Sequence, residues 1–231
     1  MKEIRVVICI LVVVFALICA RETYAIIVYT VADAPTYTGY ANTNFDNYYN
    51  AYYSDLDREL WTGNFWGSWN TRAYLKFVLS GLRKIYSAKL WVYNGVSSGK
   101  GSDYAPAVVS AFSTSAIWTE KGISWNNQPV LEKLADEKIV GNGVGWNWWD
   151  VTSLAQFSAG KDLSIALVSE GSGHVYYASE TASGYNPYLE VIIAEPPTLM
   201  LFLISIPAFL LSAARKFFGA CVSCLVFILV V

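Results

Sequence analysis

The sequence predicts an all-β fold, an antiparallel β-sandwich, preceded by a hydrophobic signal and followed by a transmembrane helix. Three observations carry that prediction. Along residues 26–197 apolar and polar side chains alternate with a period of two, the pattern of a strand that buries one face and wets the other. Clusters of Gly and Asn at 94–95, 97–101, 141–145, 171–173 and 183–186 cut the alternation into short runs. No long amphipathic helix interrupts them, so strands must pack on strands.

Taken in order, residues 71–79 place Ala73, Leu75, Phe77 and Leu79 on one face and Arg72, Tyr74 and Lys76 on the other. Residues 87–93 set Ala88, Leu90 and Val92 against Lys89, Trp91 and Tyr93. The segment 118–129 reads as a strand, a polar turn at Asn126 and Asn127, and a second strand after Pro129. In 146–149, alternation sends Trp146 and Trp148 one way and Asn147 and Trp149 the other, so at least one of these rings belongs to the core. The short helix is 152–158, with Asp150 or Thr152 as its N-cap. Residues 162–168 turn Leu163, Ile165 and Leu167 inward, and 187–193 do the same with Leu189, Val191 and Ile193. His174 opens a strand between them and reads as a satisfied surface residue.

The ends are addresses. Lys2 and Arg5 precede the apolar run 6–20, and Ala25 offers a cleavage site, so 1–25 reads as a signal peptide. Residues 198–231 read as a hydrophobic anchor or sorting tail. After Glu195-Pro196-Pro197, the apolar run 199–214 ends at the basic pair Arg215-Lys216. Its sixteen residues rise about 24 Å as a helix, short for a bilayer core but workable with snorkelling basic residues. The basic pair keeps the chain end cytoplasmic and the domain outside. The expected place is therefore extracellular, at the cell surface and membrane-anchored.

Composition excludes several chemistries for the domain 26–197. It carries 11 Lys/Arg and 16 Asp/Glu, a net charge of 11 − 16 = −5, the wrong field for nucleic acid. All four cysteines (Cys9, Cys19, Cys221, Cys224) lie in the ends, and His174 is the only histidine. Disulfides, zinc, haem and iron–sulfur sites are therefore not available to a monomer. No cofactor is expected, although oxygens of Asp33, Asn42, Asn44 or Asp46 could hold a structural Ca2+. Neighbouring carboxylates such as Asp55/Asp57 or Asp136/Glu137 specify no cleft, and the chain does not read as an enzyme.

Three blocks carry a family resemblance: Arg72-Ala-Tyr-Leu-Lys-Phe-Val-Leu-Ser80 with Ile85-Tyr-Ser-Ala-Lys-Leu-Trp-Val-Tyr93; Trp118-Thr-Glu-Lys-Gly-Ile-Ser-Trp-Asn-Asn-Gln-Pro129; and Trp149-Asp-Val-Thr-Ser-Leu-Ala-Gln156 with Ser179-Glu180 and Pro187-Tyr-Leu-Glu-Val191. Together they resemble the DNRLRE, or disaggregatase-related, domain over about residues 31–194. The resemblance implies a jelly-roll sandwich of the carbohydrate-binding-module type, and acidic polysaccharide as a ligand would give Arg72, Lys76 and Lys89 a role. Val78 departs from the family pattern, which has Asp there, and the aromatic stretch 48–69 is longer than the pattern's. The tail is similar to PEP-CTERM sorting signals, which implies a sortase-type processing enzyme as a partner. Its order Glu-Pro-Pro and the second apolar stretch 217–231 depart from that pattern.

Sugars present apolar C–H faces to aromatic rings and hydroxyls to amides and charged groups. The densest such region is 48–70, and the candidate ligand-binding residues are Tyr52, Tyr53, Asn64, Trp66, Trp69 and Asn70 there, with Arg72 just beyond. Trp61 reads as buried, and the alternative for the whole cluster is an extra hydrophobic minicore. The predicted function is a non-catalytic cell-surface module that binds extracellular or envelope polysaccharide, with the membrane as a second partner. Its rival is a structural filament or adhesion subunit that assembles through the aromatic loop.

Overall fold

Strands dominate the computed structural model, which describes residues 23–45, 59–65, 69–95, 106–141, 143–171, 174–177 and 184–194. The described strands are β1 (Thr23–Tyr29), β2 (Ala32–Tyr37), β3 (Glu59–Phe65), β4 (Trp69–Val78), β5 (Ile85–Asn94), β6 (Ala107–Thr114), β7 (Leu131–Val140), β8 (Gly145–Asp150), β9 (Asp162–Ser169), β10 (His174–Tyr177) and β11 (Tyr188–Ala194). One helix, α1 (Thr152–Phe157), precedes β9. Apart from the end residues Thr23 and Ala194, these elements fall in the unit Tyr24–Ile193. The segments read as signal and membrane anchor lie almost wholly outside the described residues. Among the described residues no helix is long and apolar enough to cross a membrane. β1 begins at Thr23, inside the segment assigned to the signal.

The strands form two antiparallel sheets. In the first the order is β1-β11-β5-β8, with β10 continuing the line of β11 beside the end of β5. In the second it is β2-β4-β9-β6-β7. β3 belongs to both. Its first half, Glu59 to Thr62, pairs with β10, and its second half, Gly63 to Phe65, pairs with β4. The switch falls at Gly63, whose φ of 104° is open to glycine and strained for other residues.

The inward faces are those the alternation predicts. Ala88, Leu90, Val92, Trp149, Leu189 and Val191 of the first sheet pack on Ala73, Leu75, Phe77, Ile165 and Leu167 of the second. Leu154 and Ala155 of α1 join this core. The cap of α1 differs from the expectation, since the N-cap residue is Val151. Asp150 still contributes, because its carboxylate accepts the Thr152 N–H at 2.9 Å. Thr152 is spent elsewhere, its hydroxyl accepting the Ala88 N–H at 3.0 Å.

The outer face of the second sheet is covered over β2, β4 and β9, while Val108 and Ile139 leave it exposed over β6 and β7. Residues 115–130 lie over it as a strap, not as the expected strand pair, with one 3-10 turn at Trp125–Asn127. Trp118 and Ile123 cover Tyr74, Ala34 and Ala166 in a second small core, which is why Tyr74 is fully buried although it alternates outward. The strap is tied down by polar groups. The Tyr74 hydroxyl donates to Gln128, Trp118 Nε1 donates to Ser164 Oγ, and the Lys76 ammonium donates to the Trp118 carbonyl. Asn44 Nδ2 donates to the carbonyls of Glu120 and Ile123 at 2.6 and 2.7 Å. Asn127 bonds locally: its Oδ1 accepts the Ser124 N–H.

Candidate functional site

Register decides what the outer face of the first sheet displays. Tyr188 lies opposite Trp91, and Trp91 lies opposite Trp148, so three aromatic residues cross β11, β5 and β8 in one row. One step along the strands toward the end of β5, Tyr93 is opposite Trp146. One step the other way, Glu190, Lys89 and Asp150 form a row of alternating charge. Tyr29 on β1 extends the aromatic row beyond Tyr188, and Tyr185 packs on Tyr93. Trp146 and Trp148 are each 37% exposed and Tyr29 is 60% exposed. Trp149 alternates inward, is fully buried, and donates its Nε1–H to the Val109 carbonyl at 2.9 Å.

The rings support one another. Centroid separations are 6.3 Å for Tyr29 and Tyr188, 6.2 Å for Tyr188 and Trp91, and 6.3 Å for Trp91 and Trp148. Trp146 meets Tyr93 and Tyr188 edge-on at 5.3 and 5.2 Å. Such contacts hold rings in fixed positions before any ligand arrives. Polar groups frame them. Trp91 Nε1 donates to Glu190 Oε2 at 3.0 Å. The ammonium groups of Lys89 and Lys138 stand 4.7 and 3.9 Å from the Trp148 centroid. Burial lowers the Lys138 pKa, with Asp136 opposing that shift and Lys89 adding to it. Burial raises the Tyr188 phenol, and the nearby Glu190 and Tyr29 raise it further.

Of the residues singled out by sequence, Asn64 lies on β3 and Trp69, Asn70 and Arg72 lie on β4. Tyr52, Tyr53 and Trp66 lie outside the described residues. Trp69 is half-buried against the backbone of Gly39, where an added Cβ would come within 3.0 Å of the indole. Its ring also meets Tyr40 at 5.4 Å. Tyr40 in turn contacts Phe45, which packs on Tyr37, and Tyr37 on the buried Trp61. Trp61 and Trp69 of the aromatic region thus pack on Tyr37 and Tyr40. Asn64 and Asn70 do come together, Asn64 Nδ2 donating to Asn70 Oδ1 at 3.2 Å on the surface. The half-buried Arg72 holds its guanidinium 5.1 Å over the Trp125 ring of the strap.

Sequence reasoning missed the assembly of Tyr29, Trp91, Tyr93, Tyr185 and Tyr188 with Trp146 and Trp148. The outward parity of Trp91 and Tyr93 was available. What alternation does not supply is strand order, and only the neighbourhood of β11, β5 and β8 makes one surface of them.

Among the described residues no three His, Cys, Asp or Glu side chains group as a metal site. Of the oxygens considered for Ca2+, Asn42 Oδ1 accepts from Asn126, and Asn44 holds the strap. Asp33 is buried, its N–H donating to Glu120 Oε1. Asp46 lies outside the described residues.

No curated protein sequence matches the chain. Among solved structures it is similar to the K1 cleaved adhesin domain of Lys-gingipain from Porphyromonas gingivalis W83. That match has 12% identity and a TM-score of 0.27, and covers 75% of this chain and 89% of the other. Residues 28–193, the segment that holds nearly all of both sheets and the whole aromatic face, match the model of carbohydrate-binding module family 96, and the chain belongs to that family.

Proposed function

We propose that the protein is a non-catalytic polysaccharide-binding module whose principal contact surface is the outer face of the first sheet. The observation that carries this reading is the pair of aromatic rows there, with Trp146 and Trp148 held partly open to solvent by their neighbours. Indole and phenol rings take the C–H faces of sugars, while Lys89, Lys138, Glu190 and Asp150 supply partners for hydroxyl and carboxylate groups. The loop end that holds Asn64, Trp69 and Asn70, with Tyr52, Tyr53, Trp66 and Arg72, is a secondary contact in this reading. The module works outside the cell, delivered by the signal 1–25 and tethered by 198–231, retained or sortase-processed. That placement rests on the apolar and basic pattern of the two ends.

Affinity electrophoresis through gels containing neutral or uronic-acid polysaccharides tests the site. Retardation lost in the Trp146→Ala, Trp148→Ala double variant supports the sheet face. Retardation kept there but lost in Trp66→Ala, Trp69→Ala moves the site to the loop end. Intact-mass measurement of the mature protein reports both terminal cleavages.

A further inference from the structure

The aromatic surface has a direction. Its long row, Tyr29–Tyr188–Trp91–Trp148, runs across four neighbouring strands and not along any of them. The charged row Glu190–Lys89–Asp150 borders it on one side, and on the other β5 ends at Asn94, opposite Gly145 at the start of β8. A ligand that follows the apolar surface must therefore cross the strands. The three steps between successive rings are nearly equal, at 6.3, 6.2 and 6.3 Å, each a little longer than one unit of an extended pyranose chain. The rings do not share a plane: successive tilts are 63°, 16° and 44°. Sheet twist makes such rotation unavoidable over four strands. A flat crystalline polysaccharide face needs coplanar rings, whereas a single chain can rotate at each linkage to follow them.

We infer that this face binds one single glycan chain laid across the strands, with four consecutive sugar subsites at Tyr29, Tyr188, Trp91 and Trp148. The inference rests on the proposed polysaccharide-binding role of the face and adds to it the form, orientation and minimum length of the ligand. The Tyr29 end lies on the edge strand β1. The Trp148 end lies beside the two lysine ammonium groups.

The test is calorimetric titration of the full-length chain, held in a zwitterionic detergent free of sugar. The probes are cello-, manno- and galacturono-oligosaccharide ladders from two to six sugars. Affinity for the bound ladder is expected to climb at least tenfold from the disaccharide to the tetrasaccharide and then level off. Tyr29→Ala, at an exposed edge position that the fold does not need, should cost the tetrasaccharide about fivefold and leave the disaccharide within about twofold. Equal affinity for every length, or a Tyr29→Ala variant unchanged at every length, overturns the four-subsite row and leaves carbohydrate binding standing. Tighter retention on microcrystalline cellulose than on any soluble ladder overturns the single-chain mode. Binding of no ladder and no gel polysaccharide overturns the proposed role itself, and the row with it.

Discussion

Trp91 and Tyr188 sit opposite each other on β5 and β11, their ring centroids 6.2 Å apart and their planes only 16° from parallel. Glu190, the next outward residue on β11, accepts the Trp91 Nε1–H at 3.0 Å and so fixes the indole in that pose. Removing the acceptor frees the indole at a cost of about 1 kcal/mol in ordering. Glu190→Ala should therefore weaken glycan binding about fivefold, while Glu190→Gln, which keeps an acceptor oxygen, should retain most of the affinity. Glu190 also helps to hold the Tyr188 phenol proton. In Glu190→Gln the Tyr188 titration should move back toward the ordinary 10.0, a shift readable by NMR of labelled tyrosine.

Two adjacent tryptophans have opposite tasks. Trp149 fills the core and hydrogen-bonds across it, while Trp148 faces out. Trp149→Ala should cost about 3–5 kcal/mol in urea unfolding. Trp148→Ala should stay within about 1 kcal/mol of the parent in the same measurement, and its defect should show only in polysaccharide retardation.

Tyr37 carries a hydroxyl that is buried with no hydrogen-bond partner among the described residues. Burial, and then the charge of Glu59, raises its pKa well above 10.0. Above pH 10 the unfolded chain releases this proton and the folded chain does not, so stability falls as pH rises. Tyr37→Phe should leave stability at pH 7 unchanged or raise it by about 1 kcal/mol. The same variant should unfold less readily than the parent at alkaline pH, as followed by circular dichroism.

The strap over the second sheet is fastened at Asn44, whose amide reaches two of its carbonyls. Asn44→Ala leaves those acceptors short of a donor and should cost about 1–3 kcal/mol. Cleavage by trypsin after Lys121, at the exposed bend of the strap, should then be faster. Polysaccharide retardation of the intact variant should not change, because the strap lies on the opposite sheet from the aromatic rows.

Lys138 loses its proton at lower pH than an ordinary lysine, since burial disfavours its charged form. Amine-selective acetylation at mildly alkaline pH, followed by peptide mapping, should therefore mark Lys138 ahead of Lys133 on the same strand. A bound polysaccharide covering Trp148 should protect it.

The inward half of the sandwich was legible because alternation of side chains needs no knowledge of neighbours. Ala73, Leu75, Phe77, Ala88, Leu90 and Val92 are buried as their parity predicts, and the opposite senses of Trp146 and Trp149 follow from the same rule. The strap was not legible. Nothing in the local pattern at 118–129 says that Trp118 and Ile123 will dock on a sheet face instead of pairing as strands, and with that docking Tyr74 changes from exposed to buried. The aromatic rows failed for a related reason. Clustering along the chain drew attention to 48–70, where Trp61 and Trp69 pack on Tyr37 and Tyr40, whereas the surface rings come from residues as far apart in sequence as Tyr29, Trp91 and Tyr188. Density in sequence measures local composition; a binding surface is made by strand order.

One backbone segment, Glu59–Phe65, supplies ladder hydrogen bonds first to one layer and then, past Gly63, to the other. The two layers are therefore riveted covalently as well as packed. A load on either one is carried into its neighbour through peptide bonds, and peeling one sheet away strips a ladder from both. Heat or tension should make the module give way in a single step, without a stage in which one layer survives alone.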